Sequence, residues 1–451
     1  MRRIDATQGP ILKSILIYTF PLIISIFVQN LFHTIDIVVL GNMGNSTAVA
    51  AVGATSSIIA LTVNTFFGFS SGAKILMARN IGAKNQEAIR NITGTSLLTA
   101  IGLGSLIAIL GMIFSIPLLE VTNCPTECYD GALIYFRIYI FSAPAILLYN
   151  FGSSLLTAWG DTQRPLYYII ASGLLNIVLN IILCLVLEEK VAAVAIATLA
   201  SQILGAFLVC YRLFTMKGEA AVTLSSLRWH NKTFFSLVHF GAPLALHTGL
   251  YPLANLQIQS AVNVFGVSAI SGYTASGTLE SYPAVISSAL STTTTTFMAQ
   301  NIGAGKHDRV KKSFRLCNLL CLVATAAISI ALYSTGRFWA GLIVHGDEPA
   351  IDYAMTRMFY LVLFYPVAAV GSILNHAIQA YGHPLYSSLN SIISVFGFRM
   401  IFMAFIYPHF LTFESLIVCF FISWWMVLIV NAIGYLIYNR AYRKSISAQT
   451  G

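Results

Sequence analysis

Of the 451 residues, 57% are hydrophobic and 9% charged, and the mean hydropathy is +0.78, more apolar than a water-soluble core of this length requires. That excludes a soluble enzyme or binding module and leaves a polytopic membrane protein. The formal charge of +9 does not indicate a nucleic-acid partner, because the basic residues lie in alternate loops rather than on one soluble face.

Apolar runs long enough for transmembrane helices, about 20 residues each, are predicted at 12–40, 47–73, 92–117, 131–158, 165–187 and 191–214, then at 233–263, 268–298, 313–336, 351–379, 384–407 and 414–438. Their unbroken character favours helices over a barrel, whose strands alternate in segments of about ten. The first run outlasts a signal-peptide core and contains no A-x-A cleavage site, so the chain is expected to start at Met1 without processing. Arg2, Arg3 and Lys13 precede the first span, and Lys74, Arg79, Lys84 and Arg90 follow the second. Arg164, the group Arg212, Lys217, Arg228 and Lys232, the group Lys306, Arg309, Lys311, Lys312 and Arg315, and the C-terminal Arg440, Arg443 and Lys444 fall on the same side. The opposite loops carry Glu120, Glu127, Asp130, Glu188, Glu189, Asp347, Glu348 and Asp352, with Lys190, Arg337 and Arg357 as their basic company. By the positive-inside rule both termini face the cytoplasm.

The chain also repeats itself. ARNIGAKN at 78–85 returns as AQNIGAGK at 299–306, 221 positions on. Pro21 faces Pro243, VAAVGATSSI at 49–58 faces ISGYTASGTL at 270–279, and AWGDTQRPLYY at 158–168 returns shortened as AYGHPLYS at 380–387. The expected architecture is therefore an all-α polytopic membrane protein with twelve transmembrane helices in two six-helix lobes. The lobes are an N-lobe over 1–214 (helices 1–6) and a C-lobe over 233–451 (helices 7–12), joined by a cytoplasmic linker over 215–232. An even helix count per half gives both halves the same orientation, a parallel internal repeat about the membrane normal, as in transporters that rock two lobes around a central site.

Ionisable groups inside spans cost about 2.5–3.5 kcal/mol each on insertion scales, so each asks for a reason. Asp36 lies late in the first span, fifteen residues after Pro21, a residue that bends or weakens a helix. Asn176 and Asn180 share one face of the fifth span at i, i+4, and Thr198 lies mid-span in the sixth. Amide and hydroxyl oxygens around one carboxylate suit a monovalent cation, or a network that responds to the carboxyl proton. The plainer reading is that these residues glue helices together. Glu280 is the second embedded acid, a candidate for attracting a cationic substrate with Tyr251 and Tyr282; the alternative is a neutral acid bonded to a nearby hydroxyl. Arg137 and Arg399 are expected to pair with a carboxylate or helix end.

Other motifs are weaker. GFSSG at 68–72 fits the G-x-S-x-G of serine hydrolases, but a nucleophile elbow needs a preceding strand; packing by small residues is the expected role of this stretch around Ser70. His33, His239, His247 and His376 have no metal-ligand spacing, and neither HExxH nor a P-loop occurs. Five of the seven cysteines fall in apolar runs, while Cys124 and Cys128 share an outer loop where a bridge would require an oxidising exterior. Threonines 292–296 can bond back to their own helix and bend it.

Pro21 and Asp36 followed by VVLGNMG, AAVGA at 50–54, the paired NIGA loops, and GDTQRP followed by NIVLN at 160–180 together resemble the multidrug and toxic compound extrusion (MATE) family over nearly the whole chain. The resemblance implies twelve helices in two lobes and cation-coupled drug export. Its N-lobe cation site falls on Asp36, Asn176, Asn180 and Thr198, with Pro21 as the bending point. Asn180 stands where some members carry a second aspartate, and Tyr251 and Ala368 lie near the places of acids that another branch uses. The expected function is thus a secondary antiporter, not an enzyme, which exports small organic cations or drugs across a bacterial cytoplasmic membrane in exchange for H+ or Na+. It is expected to act as a monomer in lipid, with no cofactor, no nucleic acid and no metal beyond sodium at the coupling site. The rival readings are a lipid-linked oligosaccharide flippase of the same superfamily, expected to have extra helices and a basic cavity, and a membrane-embedded hydrolase using Ser70.

Overall fold

The computed structural model describes residues 3–43, 46–121, 124–216 and 227–450, with side chains throughout these ranges except at 33, 34, 36–38, 40, 42, 43, 46, 121, 254, 256 and 447–450. Every regular element among the described residues is helical. In chain order these are α1 (Ile11–Met43), α2 (Ser46–Gly82), α3 (Gln86–Ile113), the short α4 (Ser115–Val121), α5 (Tyr129–Phe141), α6 (Ala143–Ala158), α7 (Gln163–Val186) and α8 (Lys190–Phe214). There follow α9 (Asn231–Val262), α10 (Val267–Gly303), α11 (His307–Ser334), α12 (Gly336–Ile343), α13 (Glu348–Arg357), α14 (Tyr365–Ala380), α15 (Pro384–Ser391), α16 (Phe398–Ile401) and α17 (Phe413–Thr450). A π turn over Met358–Leu363 joins α13 to α14, and two more, Ile392–Gly397 and Phe402–Ile406, flank α16.

Nine helical stretches among the described residues are long and apolar enough to cross a membrane, and α5 with α6, bent by 45° at the break between them, form a tenth. The helices α9 and α10, 32 and 37 residues long, complete the expected twelve. Polar residues such as Gln257 and Gln259 in α9 and Thr292–Thr296 in α10 dilute their hydropathy without shortening them. The predicted span at 131–158 is therefore two helices, and that at 47–73 is continued by about two and a half turns carrying Lys74 and Arg79 to Gly82.

The sequence duplication is a duplication of turn chemistry. At the end of α2 Lys84 has φ +54°, and at the end of α10 Gly305 has φ +66°. In each copy an amide reaches back five residues, Asn85 N–H to the Asn80 carbonyl (3.0 Å) and Lys306 N–H to the Asn301 carbonyl (2.9 Å), the closure of a Schellman motif around a left-handed residue. The asparagines match too: Asn80 and Asn301 each donate Nδ2–H, at 2.8 Å, to the carbonyl four residues earlier. The left-handed conformation costs a non-glycine residue about 1–2 kcal/mol, which Gly305 avoids and Lys84 accepts. Gly160 and Gly382 form a second such pair, at φ +80° and +95°.

Two compact units result, Met1–Asp5 with Phe20–Thr248, and Ala6–Thr19 with Gly249–Gly451. Residues 217–226 of the expected linker lie outside the described residues. Asn231–Thr248 at the start of α9 goes with the first unit and Ala6–Thr19 with the second. In the first unit α2 packs on α5 and α6 around Phe66, Phe151 and Leu237, and α7 packs on α8. The GFSSG stretch explains the recruitment of α9. A Cβ on Gly68 would stand 2.5 Å from the Leu244 carbonyl oxygen, and one on Gly72 2.5 Å from the Gly241 backbone. This is a small-xxx-small contact in which two helix backbones touch.

In the second unit α10 packs on α11, α13 and α14, and α14 on α17, around Ile258, Leu361, Ile417 and Trp424. Hydroxyls rather than glycines hold its N-terminal segment. Tyr18 donates to Thr296 Oγ1 (3.0 Å), Thr19 and Thr293 share a bond of 2.8 Å, and the Tyr18 ring meets Phe297 edge-on at 5.4 Å. The threonines also bond back to their own helix, Thr293 to Ala289 and Thr294 to Leu290, each at 2.8 Å.

A test of the first contact follows. Gly72→Val places branched carbon against backbone that cannot yield as a side-chain end can, and overpacking costs about 1–3 kcal/mol. The melting temperature of the purified protein in detergent should fall for Gly72→Ala and further for Gly72→Val; unchanged melting in both would show that the two backbones separate freely.

Candidate functional site

The helices α7 and α8 hold a chain of polar side chains in otherwise apolar surroundings. Asn180 Nδ2 donates to Asn176 Oδ1 (3.1 Å), Asn176 Nδ2 donates to Thr198 Oγ1 (3.4 Å), and the Thr198 hydroxyl donates to the Val194 carbonyl (3.0 Å). Exposure is 5% at Asn176, 0% at Asn180 and 8% at Thr198, so each bond offsets the cost of burying an amide or hydroxyl, about 1–3 kcal/mol when unmade. The one-turn spacing of the asparagines stacks them on the face of α7 that meets α8. All the donors point the same way, from α7 into the α8 backbone, an order that polarises along its length.

Asp36 belongs to α1, and its side chain, like that of His33, lies outside the described residues. The helix runs unbroken through Pro21, which has no N–H for the Ile17 carbonyl. Ser25 Oγ donates to the Pro21 carbonyl at 2.8 Å.

Glu280 on α10 has a partner that reading by loops does not assign. Arg357, at the end of α13, donates from Nη2 to Glu280 Oε2 (2.7 Å) and from Nη1 to Ser276 Oγ (3.1 Å), and its guanidinium lies 4.4 Å from the Tyr273 ring centroid. Arg357 is thus no outer-loop residue, being 5% exposed. The partner of Glu280 is this guanidinium, where a nearby hydroxyl was the alternative expected. Tyr251 and Tyr282 are 40% and 45% exposed, with Tyr251 5.8 Å from the Arg399 guanidinium.

Arg399 is 1% exposed and, among the described residues, has no carboxylate within ion-pair distance, against the expected pairing. Nη1 donates to Asn255 Oδ1 (2.8 Å), Nε and Nη2 donate to Ser423 Oγ (3.3 and 3.1 Å), and the charge lies 4.1 Å from the Phe420 ring centroid. Arg137 likewise donates to a hydroxyl, Ser115 Oγ, at 3.0 Å. Sequence reasoning missed Asn255 and Ser423 as its partners because neither has a periodicity that marks it.

The remaining motifs are structural. Ser70 is fully buried, donates to the Phe67 carbonyl (2.9 Å) and accepts from Ser154 (3.3 Å), within a helix rather than after a strand. Among the described residues no cluster of three histidine, cysteine or acidic side chains could hold a metal. The sulfurs of Cys124 and Cys128 are 3.9 Å apart as free thiols, and burial raises the Cys124 pKa, which favours the thiol. On the outer segments Arg337 pairs with Asp352 (3.0 Å) and Glu348 (2.9 Å). The Asp352 hydrogen bond is the main cause of its raised pKa, and exposed pairs of this kind contribute little to stability.

The MatE family model matches this chain twice, over residues 21–182 and 243–405, one match for each copy of the repeat. "Probable multidrug resistance protein YoeA" of Bacillus subtilis (strain 168) is 26% identical over 414 residues, 90% of this chain and 88% of that one. A "FAD transporter" of Shewanella oneidensis is also 26% identical, over 84% of each chain. The solved structure described as "Outward-facing conformation of a multidrug resistance MATE family transporter of the MOP superfamily" superposes with a TM-score of 0.89 at 20% identity, covering 98% of this chain and 99% of that one. Twelve helical spans among the described residues, an internal duplication and a family match in both halves lead to one conclusion: this chain is a multi-pass membrane transporter of the MatE, or multidrug and toxic compound extrusion, family.

Proposed function

We propose that this transporter is a secondary antiporter that exports small organic cations in exchange for inward H+ or Na+, coupled at Asp36 with Asn176, Asn180 and Thr198. The buried amide and hydroxyl chain between α7 and α8 carries this reading: it gathers oxygens between membrane helices, where polar groups need a reason. A cation at Asp36 neutralises the carboxylate and changes what its neighbours bond to. The weakened turn at Pro21 lets α1 respond, and release of the ion inside resets it. One charge moving through 100 mV supplies about 2.3 kcal/mol, before any concentration gradient is counted. The chain works without a cofactor, as a monomer in a bacterial cytoplasmic membrane with both termini inside.

Efflux of a fluorescent organic cation from proteoliposomes, with pH and sodium gradients imposed separately, tests the reading. One of the two gradients should drive the cation against its own gradient. Movement that never exceeds equilibration in either case defeats an antiporter and describes a pore. The Shewanella relative supports a second reading, since its identity to this chain equals that of the drug-resistance relative. A flavin nucleotide moved in place of the cation would favour it. The flippase reading expects helices beyond twelve, and the described helices supply twelve spans.

A further inference from the structure

The repeat allows each unit to be read against the other. Asn180 follows Pro165 by fifteen residues, and Arg399 follows Pro384 of the repeated turn by the same interval. On the last helix of each copy of the repeat, Ser201 donates to the Thr198 carbonyl and Ser423 to the Phe420 carbonyl, both at 2.7 Å, and the serines are 222 positions apart, as are Pro21 and Pro243. Thr198 therefore corresponds to Phe420. The π turn at Ile392–Gly397 shifts the register ahead of Arg399, so the correspondence rests on the helices reached. Arg399 bonds to Asn255 on α9 and to Ser423 on α17, the second unit's counterparts of α1, which carries Asp36, and α8, which carries Thr198.

The two places differ in one respect. Where the first unit gathers neutral oxygens beside the helix that carries an acid, the second holds a guanidinium, with an amide oxygen, a hydroxyl oxygen and an aromatic face around it. Those are the groups that stabilise a monovalent cation, and a guanidinium keeps its charge in a protein interior. Glu280, the embedded acid of this unit, is engaged by Arg357.

We propose that Arg399 is a built-in cation filling the second unit's counterpart of the coupling site, so that the chain exchanges one coupling ion per transport cycle. The count of one rests on the Asp36 reading; the filled pocket does not. Two measurements on the full-length protein separate them. In proteoliposomes, a monovalent fluorescent organic cation should accumulate to the first power of the imposed ion gradient and be insensitive to a clamped voltage. Accumulation to the second power, with voltage dependence, overturns the proposal, because a second ion is then bound. In detergent, Arg399→Ala should lower the melting temperature, and guanidinium chloride should restore it at concentrations that leave the wild type unmoved and at which sodium chloride is inert. Arg399→Leu, which closes the pocket with hydrocarbon, should gain nothing from guanidinium. If guanidinium does no more for Arg399→Ala than sodium chloride does, the pocket is ordinary packing and the proposal falls. Should Arg399→Ala not be recoverable, the wild-type power law decides alone. Should the wild type show no ion-driven transport, the Asp36 reading falls, and the guanidinium rescue still decides whether the pocket holds a cation.

Discussion

Asp36→Asn should abolish gradient-driven efflux while leaving the chain inserted and extractable as a folded protein. Asparagine keeps the size and most of the hydrogen bonding of aspartate but holds no charge, so it neither attracts a cation nor exchanges a proton. Removing a charge from a membrane helix relieves an insertion cost of about 2.5–3.5 kcal/mol, so loss of transport could not be laid to failed insertion. The comparison that gives the result its meaning is Asn180→Ala. It removes the Asn180–Asn176 bond on α7 and should weaken transport by about tenfold, the loss expected when a buried hydrogen bond is missing, rather than eliminate it. Efflux in proteoliposomes, normalised to protein recovered in the membrane, reads both. Full gradient-driven transport by Asp36→Asn would remove the coupling mechanism.

Arg357→Met should be the most damaging single change to the stability of the second unit. It leaves the Glu280 carboxylate and the Ser276 hydroxyl without the donors that hold them at 2.7 and 3.1 Å. Breaking a buried pair from one side costs about 3–5 kcal/mol because the other charge stays behind. Glu280 is one-fifth exposed on its side chain, so screening reduces that to about 2–3 kcal/mol. The double substitution Arg357→Met with Glu280→Gln should recover most of the loss, since an ion pair replaced on both sides is often neutral. Thermal unfolding in detergent, as a double-mutant cycle, measures it. Equal losses in the single and double variants would mean that Arg357 acts by packing on Tyr273 instead.

Much of the site on α7 and α8 was legible beforehand. Asn176 and Asn180 announce a shared face by their spacing, and Thr198 stands out as a polar residue in an apolar run, because helical periodicity converts sequence separation into direction. Arg357 was not legible. It lies six residues past the start of a predicted span and five past Asp352, and counting charges by loops places it with the outer groups. The partners of Arg399 were beyond reach for a different reason: they sit on α9 and α17, 144 and 24 residues away, and no local pattern reports which distant helices will meet.

Sequence by itself determined the class of protein, the number of spans, the duplication and the family, because these follow from the apolar length a membrane demands and from motifs copied in order. Tertiary structure alone decided the division into units and the pairing of charges. The glycines of GFSSG draw the start of α9 onto α2, and the hydroxyls of the threonine run draw Tyr18 and Thr19 onto α10. Close backbone approach and the choice of partner for a buried charge depend on which surfaces meet in space, and that information is spread over helices far apart along the chain.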